Sequence, residues 1–154
     1  MNTVVEQVWK KWKDNKVPLN APLERSVEEA FSFLHGVELP ATLVQLLRRA
    51  NGSASSFPCE FRFLAVREYF CPYAKIFDPL LTTAAFVFLD YMDWSWGYAV
   101  DMCVGGAAPV YLVGTACGTA QLVAHTFNEF LELYVCDDAR LYPSPTWASG
   151  RPHP

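Results

Sequence analysis

Long apolar runs are missing from this sequence of 154 residues. No stretch approaches the roughly 18 apolar residues that a membrane-spanning helix needs. The first fifteen residues, MNTVVEQVWKKWKDN, are interrupted by lysines and have no apolar core that a secretory signal peptide would require. The sequence therefore predicts a protein without a membrane segment, and we expect it in the cytoplasm.

Paired cysteines are also missing. No two cysteines are spaced as C-x-x-C, and their odd number fits a disulfide framework poorly. The five are Cys59, Cys71, Cys103, Cys117 and Cys136. The scattered cysteines and the three histidines show none of the regular spacings of a metal site. We expect reduced, mostly buried thiols, no metal and no cofactor.

Charged residues are few, at 18% of the chain, and their signs are unevenly distributed. Residues 1–50 contain seven basic and six acidic residues, whereas 51–154 contain five and ten, so the net charge of −4 comes from the second part. No basic stripe there could follow a phosphate backbone, and direct binding of nucleic acid is not expected. An acidic surface suits a basic protein partner, although a surface that only keeps the chain soluble has the same composition.

The motifs of the common catalytic sites are absent as well. The chain contains no G-x-S-x-G, no H-E-x-x-H and no phosphate-binding P-loop. We favour structural roles for His35 and His125, which flank helix termini, and His153 lies in a proline-rich tail. A pair of Cys117 and His125 could still serve as nucleophile and base if the fold brought them together. The main expectation is a protein that is not an enzyme.

Apolar residues recur at helical spacing in four segments, and two of these begin with a sequence typical of a capping box. The helical patterns are Val4–Trp12, Val27–Leu34 behind Ser26–Glu29, Leu43–Ala50 behind Pro40, and Phe127–Tyr134 behind Thr126–Glu129. Gly36 supplies a left-handed stop to the second helix.

Between the third and the last helical pattern, the periodicity changes to that of strands. The strand patterns are Phe61–Ala65, Ala85–Leu89, Trp96–Met102, Val110–Val113 and Gln121–Ala124. No helix long enough for a crossover separates them, which predicts an antiparallel meander. We therefore expect an α+β fold in one domain, 1–154, with N-terminal helices, a C-terminal helix and a loose tail over 143–154.

The segment 90–101, DYMDWSWGYAVD, combines two tryptophans, two tyrosines and three aspartates in twelve residues. Tyrosine and tryptophan dominate interface hot spots, and carboxylates around them favour a partner rich in Arg or Lys. The predicted partner-binding residues are Asp90, Tyr91, Asp93, Trp94, Trp96, Tyr98 and Asp101. In the alternative interpretation the segment is a strand–turn–strand unit whose aromatic residues pack in the core. The alternation along the segment places about half of them there.

Several local patterns follow one another in a characteristic order. Residues 38–52 read ELPATLVQLLRRANG, 88–92 read FLDYM, 96–101 read WGYAVD, 109–111 read PVY, and 124–134 read AHTFNEFLELY. In this order and spacing they resemble the "LP…LL…NG" helix, the central and late strands and the closing helix of the SUKH superfamily, Smi/Knr type. The resemblance covers about 26–142 and leaves out the first helix, within 1–16, and the tail.

The resemblance implies one α+β domain with an antiparallel sheet flanked by helices. Many bacterial members of the superfamily are immunity proteins that bind and block a toxin, often a nuclease or another enzyme that modifies nucleic acids. No catalytic residues carry over. The leading expectation is thus an immunity protein that occludes the active site of a cognate, basic toxin or effector. The alternative is an intracellular regulatory scaffold, as some relatives are.

Overall fold

The computed structural model describes residues 3–54, 60–69, 71, 81–102, 107–114 and 119–143. Within them it contains four α-helices and five strands, so the expected α+β class is confirmed. The helices are α1 (Thr3–Asp14), α2 (Arg25–His35), α3 (Ala41–Leu47) and α4 (Phe127–Cys136). The strands are β1 (Phe61–Phe63), β2 (Ala85–Tyr91), β3 (Trp96–Asp101), β4 (Val110–Val113) and β5 (Gln121–Ala124).

The five strands form one sheet in the order β1-β2-β3-β4-β5, with every neighbour antiparallel. This is the predicted meander. β2 extends two residues beyond its predicted end, because Tyr91 pairs with both Phe61 and Trp96. A register shift between Val87 and Leu89 marks a bulge at Phe88 in the central strand pair.

Helices α1 and α4 pack together and cover one face of the sheet. The Trp12 ring lies 5.1 Å from the Phe63 ring, and its indole N–H donates to the Tyr134 hydroxyl at 3.1 Å. Lys11 donates its ammonium to the Tyr134 carbonyl near the end of α4, where cations are favoured. The predicted apolar stripe of the first helix is thus the contact between the N-terminus of the chain and its last helix.

Helix α2 covers the beginning of β2, since the Phe31 ring lies 5.5 Å from the Phe86 ring. The two central strands are buried on both faces, because every residue of β2 and every residue of β3 except Trp96 is buried. A side chain on either strand is therefore enclosed by protein whichever way it points.

The two capping-box predictions had different outcomes. Thr126 caps α4 as predicted, and its hydroxyl accepts from the Glu129 N–H at 3.1 Å. The Glu129 carboxylate accepts from the N–H of His125, which is one residue before the predicted donor at the cap. The prediction at Ser26 is wrong. Helix α2 begins at Arg25, so Ser26 lies within it, and Glu29 pairs with the Arg25 guanidinium at 3.0 Å instead of returning to the cap.

Gly36 ends α2 in the predicted left-handed conformation, with φ 64° and its N–H on the Ser32 carbonyl. Cys71 and Cys136 have free thiols, and Cys136 is exposed rather than buried because it lies on the outer side of the last turn of α4. The other three cysteines and residues 144–154 of the predicted tail lie outside the described residues. Among the helices that the structure describes, none has the length and apolar character needed to cross a membrane.

Candidate interaction surface

The turn between β2 and β3 has an unusual backbone. Three consecutive non-glycine residues, Met92, Asp93 and Trp94, have positive φ angles of 46°, 50° and 69°. The Ser95 N–H donates to the Tyr91 carbonyl at 3.0 Å, and its hydroxyl donates to the Met92 carbonyl, also at 3.0 Å. Side chains other than glycine adopt this conformation at a cost on the order of 1 kcal/mol each. Hydrogen bonds therefore hold the turn in a conformation that its own residues disfavour.

The same turn presents large apolar side chains to solvent. Trp94 is 53% exposed and Met92 is 50% exposed, with the exposed Asp93 between them. The Trp94 ring rests beside Gly97, where an added Cβ would come within 3.9 Å of Cζ3. One edge of the indole is thus supported by the hairpin while the rest remains open to a partner.

Carboxylates surround the base of the turn. The Tyr91 hydroxyl donates to the Glu60 carboxylate at 2.7 Å, and the Met92 N–H donates to the Glu60 carbonyl at 2.9 Å. Burial, this hydrogen bond and the charges of Glu60 and Asp137 raise the pKa of Tyr91 to about 12. The Tyr142 hydroxyl donates to Asp137, and the Tyr142 ring lies 5.8 Å from the Tyr91 ring, so both carboxylates lie close to Tyr91. Together with the turn they make up what we name the acidic turn surface: Glu60, Met92, Asp93, Trp94 and Asp137.

Four of the seven predicted partner-binding residues are buried in the structure: Asp90, Tyr91, Tyr98 and Asp101. Tyr98 is 0% exposed, donates its hydroxyl to the Leu141 carbonyl and accepts from the Trp96 indole N–H at 3.0 Å. Tyr91 is buried beneath the turn with its ring stacked on Trp96 at 4.2 Å. Neither tyrosine leaves a ring face available to a partner.

Asp101 is buried at the end of β3, where it binds the chain that precedes β2. Its carboxylate accepts from the Thr82 N–H at 2.9 Å and from the Thr82 hydroxyl. A buried acceptor with two donors is a structural group, since exposing it to a partner would break both hydrogen bonds.

Asp90 is 1% exposed and accepts from the Arg62 guanidinium at 2.9 Å. The same guanidinium donates to Glu68 at 2.8 Å, which places Arg62 between two carboxylates. Burial raises the pKa of Asp90, and the hydrogen bond and charge of Arg62 oppose that shift. This carboxylate connects β2 to β1 through Arg62 and does not contribute to the outer surface.

Asp93 and Trp94 are the predicted residues that reach the surface, and Trp96 is partly exposed beside them. Sequence reasoning missed Met92, Glu60 and Asp137. The position of Met92 in the turn was a usable signal, because turn side chains project away from the sheet. Nothing local indicated Glu60 or Asp137, which approach the turn from distant parts of the chain.

The described residues contain no group of three His, Cys, Asp or Glu side chains able to hold a metal ion. His125 is exposed at the start of α4. Cys117, the other half of the thiol-enzyme alternative, lies outside the described residues, so this alternative stays a hypothesis.

A second exposed apolar surface lies on α2, at the other end of β2. Phe33 is 92% exposed and Leu34 is 75% exposed. Beside them, a groove of about 400 Å³ separates α2 from the short 3-10 turn Val66–Glu68. We name this region, formed by Val27, Ala30, Phe31, Leu34 and Arg67, the α2 groove.

No protein-family model and no curated protein matched this chain.

Proposed function

We propose that this protein is an immunity protein that binds and neutralises a cognate bacterial toxin or effector, and that it acts in the cytoplasm without turning over a substrate. The proposal is supported by the resemblance of the sequence to the SUKH superfamily and by the acidic turn surface. In this proposal the acidic turn surface covers the active site of the toxin.

The observation that carries the proposal is the exposed Trp94 on a turn with three successive left-handed residues. Tryptophan buries a large area on binding and loses little conformational freedom, which is why it is enriched at hot spots. A strained turn held by hydrogen bonds presents this side chain in one orientation before the partner arrives, and preorganisation of this kind increases affinity.

The negative charge of the acidic turn surface favours a partner with a positively charged surface. Glu60, Asp93 and Asp137 bring three carboxylates to the region around Tyr91. An enzyme that acts on nucleic acids needs a basic groove for the phosphates of its substrate. Carboxylates on the inhibitor are complementary to such a groove, steer association and disfavour other partners. A nuclease or another nucleic-acid-modifying enzyme is therefore the toxin class that we propose.

Co-purification tests the proposal. The tagged protein would be expressed together with the product of the adjacent upstream gene, and complex formation and relief of toxicity would be measured. We expect a stable one-to-one complex and loss of the toxic activity. Growth inhibition that persists on co-expression, together with no recovered complex, would contradict the immunity function.

A matched pair of variants tests the surface. Trp94→Ala should weaken the complex by about 2 kcal/mol or more, roughly 30-fold. Leu122→Ala, at a residue that is also part-exposed and apolar but lies on β5, should leave affinity unchanged. Equal affinity of both variants and the wild type would remove the acidic turn surface from the interface while leaving the immunity function itself intact.

A regulatory scaffold is the second candidate, and the α2 groove is the observation that favours it. A scaffold needs more than one docking surface, and Phe33 and Leu34 supply a second one at a distance from the turn. If co-purification with the neighbouring gene product fails and no toxicity is relieved, this candidate becomes the preferred function.

A further inference from the structure

The α2 groove differs from the rest of this acidic chain in the charges that line it. Among the described residues its wall consists of apolar side chains together with Ser26, His35, Arg67 and Tyr69, and none of these lining residues carries a carboxylate. Leu34 in this wall is 75% exposed, and its neighbour Phe33 is 92% exposed. The groove is therefore suited to an apolar side chain that is accompanied by a negative charge.

Arg67 is the cation that this negative charge would meet. The other five arginines among the described residues all form ion pairs with carboxylates, as Arg25 does with Glu29. Arg67 is exposed and forms no ion pair within the described part of the chain. In a chain with sixteen acidic and twelve basic residues, a guanidinium that pairs with none of the described carboxylates is a candidate binding group.

The turn of the acidic turn surface has the complementary chemistry. Met92 and Trp94 are exposed apolar side chains, and the carboxylate of Asp93 lies between them in the chain. An indole fits within a groove of about 400 Å³, which is in the lower part of the range of ligand pockets. The protein thus has a projecting acidic and apolar turn and an apolar groove whose arginine pairs with no carboxylate that the structure describes.

The two surfaces cannot meet within one molecule. Phe31 beneath the groove contacts Phe86 at the beginning of β2, whereas the turn follows Tyr91 at its other end. Five residues of extended strand separate these positions by roughly 17 Å, at about 3.3 Å per residue. The turn therefore does not reach the groove of its own molecule, and a turn that occupies this groove has to come from a second copy.

We propose that the protein self-associates head to tail, with the turn Met92–Ser95 of one copy in the α2 groove of the next. Trp94 enters the groove and Asp93 pairs with Arg67 of the second copy. Such a contact joins two different surfaces and is heterologous, so each copy keeps one free turn and one free groove unless a ring closes. Because the same turn would bind a toxin, self-association and toxin binding compete, and dilution or toxin releases monomers. The self-association does not rest on the proposed function and goes beyond it.

Sedimentation velocity of the full chain alone, from low micromolar to near-millimolar concentration, tests the proposal. We expect the weight-average sedimentation coefficient of the wild type to rise with concentration and to rise less at high salt, because salt screens the Asp93–Arg67 pair. Trp94→Ala removes the projecting side chain and Arg67→Glu reverses the charge at the groove. Each variant should remain a monomer at every concentration.

Mixing the two variants gives the decisive measurement. Trp94→Ala keeps an intact groove and Arg67→Glu keeps an intact turn, so an equimolar mixture should form a dimer that grows no further. Leu122→Ala and Lys16→Glu, which make matched changes at exposed positions elsewhere, should associate like the wild type. Circular dichroism of each variant would establish that it is folded.

Three results would overturn the proposal. One is a wild type that stays monomeric over the whole concentration range. Another is association that survives in Trp94→Ala or in Arg67→Glu. The third is a mixture that stays monomeric after both variants have lost association, since this result indicates a symmetric contact of one surface with itself. All three concern the chain alone, so none of them bears on toxin binding.

Discussion

Trp94 and Tyr98 belong to the same aromatic segment, four residues apart, yet Trp94 is 53% exposed and Tyr98 is fully buried. The aspartates divide in the same way, because Asp93 is exposed while Asp90 and Asp101 are enclosed with Arg62 and Thr82. In each case the strand position is buried and the turn position is open. The comparison teaches that aromatic and acidic composition does not distinguish an interface from a core; the place of each residue in the hairpin does.

The largest expected effect on stability is at Tyr98. Tyr98→Ala should lower the free energy of unfolding by about 4 kcal/mol, because it opens a cavity in the core and removes a hydrogen bond to the Leu141 carbonyl. Urea denaturation followed by tryptophan fluorescence measures this loss. The control Tyr98→Phe keeps the ring and should lose about 1–2 kcal/mol. A loss below 1 kcal/mol in the Ala variant would contradict the assignment of Tyr98 to the core and its contrast with Trp94.

The next effect is at Asp101. Asp101→Ala should cost about 2 kcal/mol, because the Thr82 N–H and hydroxyl lose their common acceptor in a buried place. Urea denaturation gives the loss, and Asp101→Asn, which keeps one carbonyl oxygen, should be less damaging. If Asp101→Ala instead weakened partner binding in a protein of unchanged stability, the assignment of this aspartate to the interior would be mistaken.

Trp94 should behave in the opposite way to Tyr98. Trp94→Ala should lower the free energy of unfolding by less than about 1 kcal/mol, since half of the side chain is already in water. The same urea experiment therefore separates a binding residue from a structural one. A loss of several kcal/mol would mean that the indole supports the hairpin and that its effect on binding is indirect.

The smallest effect concerns pH and Asp90. Burial raises the pKa of Asp90 above its ordinary value of 3.8, against the opposing effect of Arg62. The folded state therefore keeps this proton to higher pH than the unfolded state, and the associated stability is present below the unfolded pKa and lost as pH rises through the folded pKa. We expect the wild type to lose stability relative to Asp90→Asn as the pH rises from below 3.8, the ordinary pKa, through the raised pKa of the folded state. Urea midpoints that stay parallel over this range would show that Asp90 ionises as an exposed aspartate does.

Local patterns predicted most of the fold. The stripe of Val4, Val5, Val8 and Trp12 defines α1, and turn residues separate short apolar runs that become neighbouring strands. The failure at Ser26 has a local cause too, because Arg25 and Glu29 at i,i+4 spacing form an alternative pair that extends the helix. Whether Glu29 joins a capping box with Ser26 or an ion pair with Arg25 depends on the residue at which the helix begins.

The candidate site was predictable in part. The segment 90–101 was found from its composition, and its turn is the most exposed part. Which aspartates are buried depended on Arg62, 28 residues before Asp90, and on Thr82, 19 residues before Asp101. Glu60 and Asp137 join the turn through contacts of the same long-range kind.

By itself, the sequence determined the helical and strand segments, their antiparallel order and the location of an aromatic, acidic hairpin, because periodicity and turn chemistry act over a few residues. Only the tertiary structure decided which of those aromatic and acidic side chains reach solvent and that a groove whose described lining has no carboxylate lies at the opposite end of β2. Burial and charge pairing depend on chain segments that are distant in sequence and meet only when the sheet and helices pack.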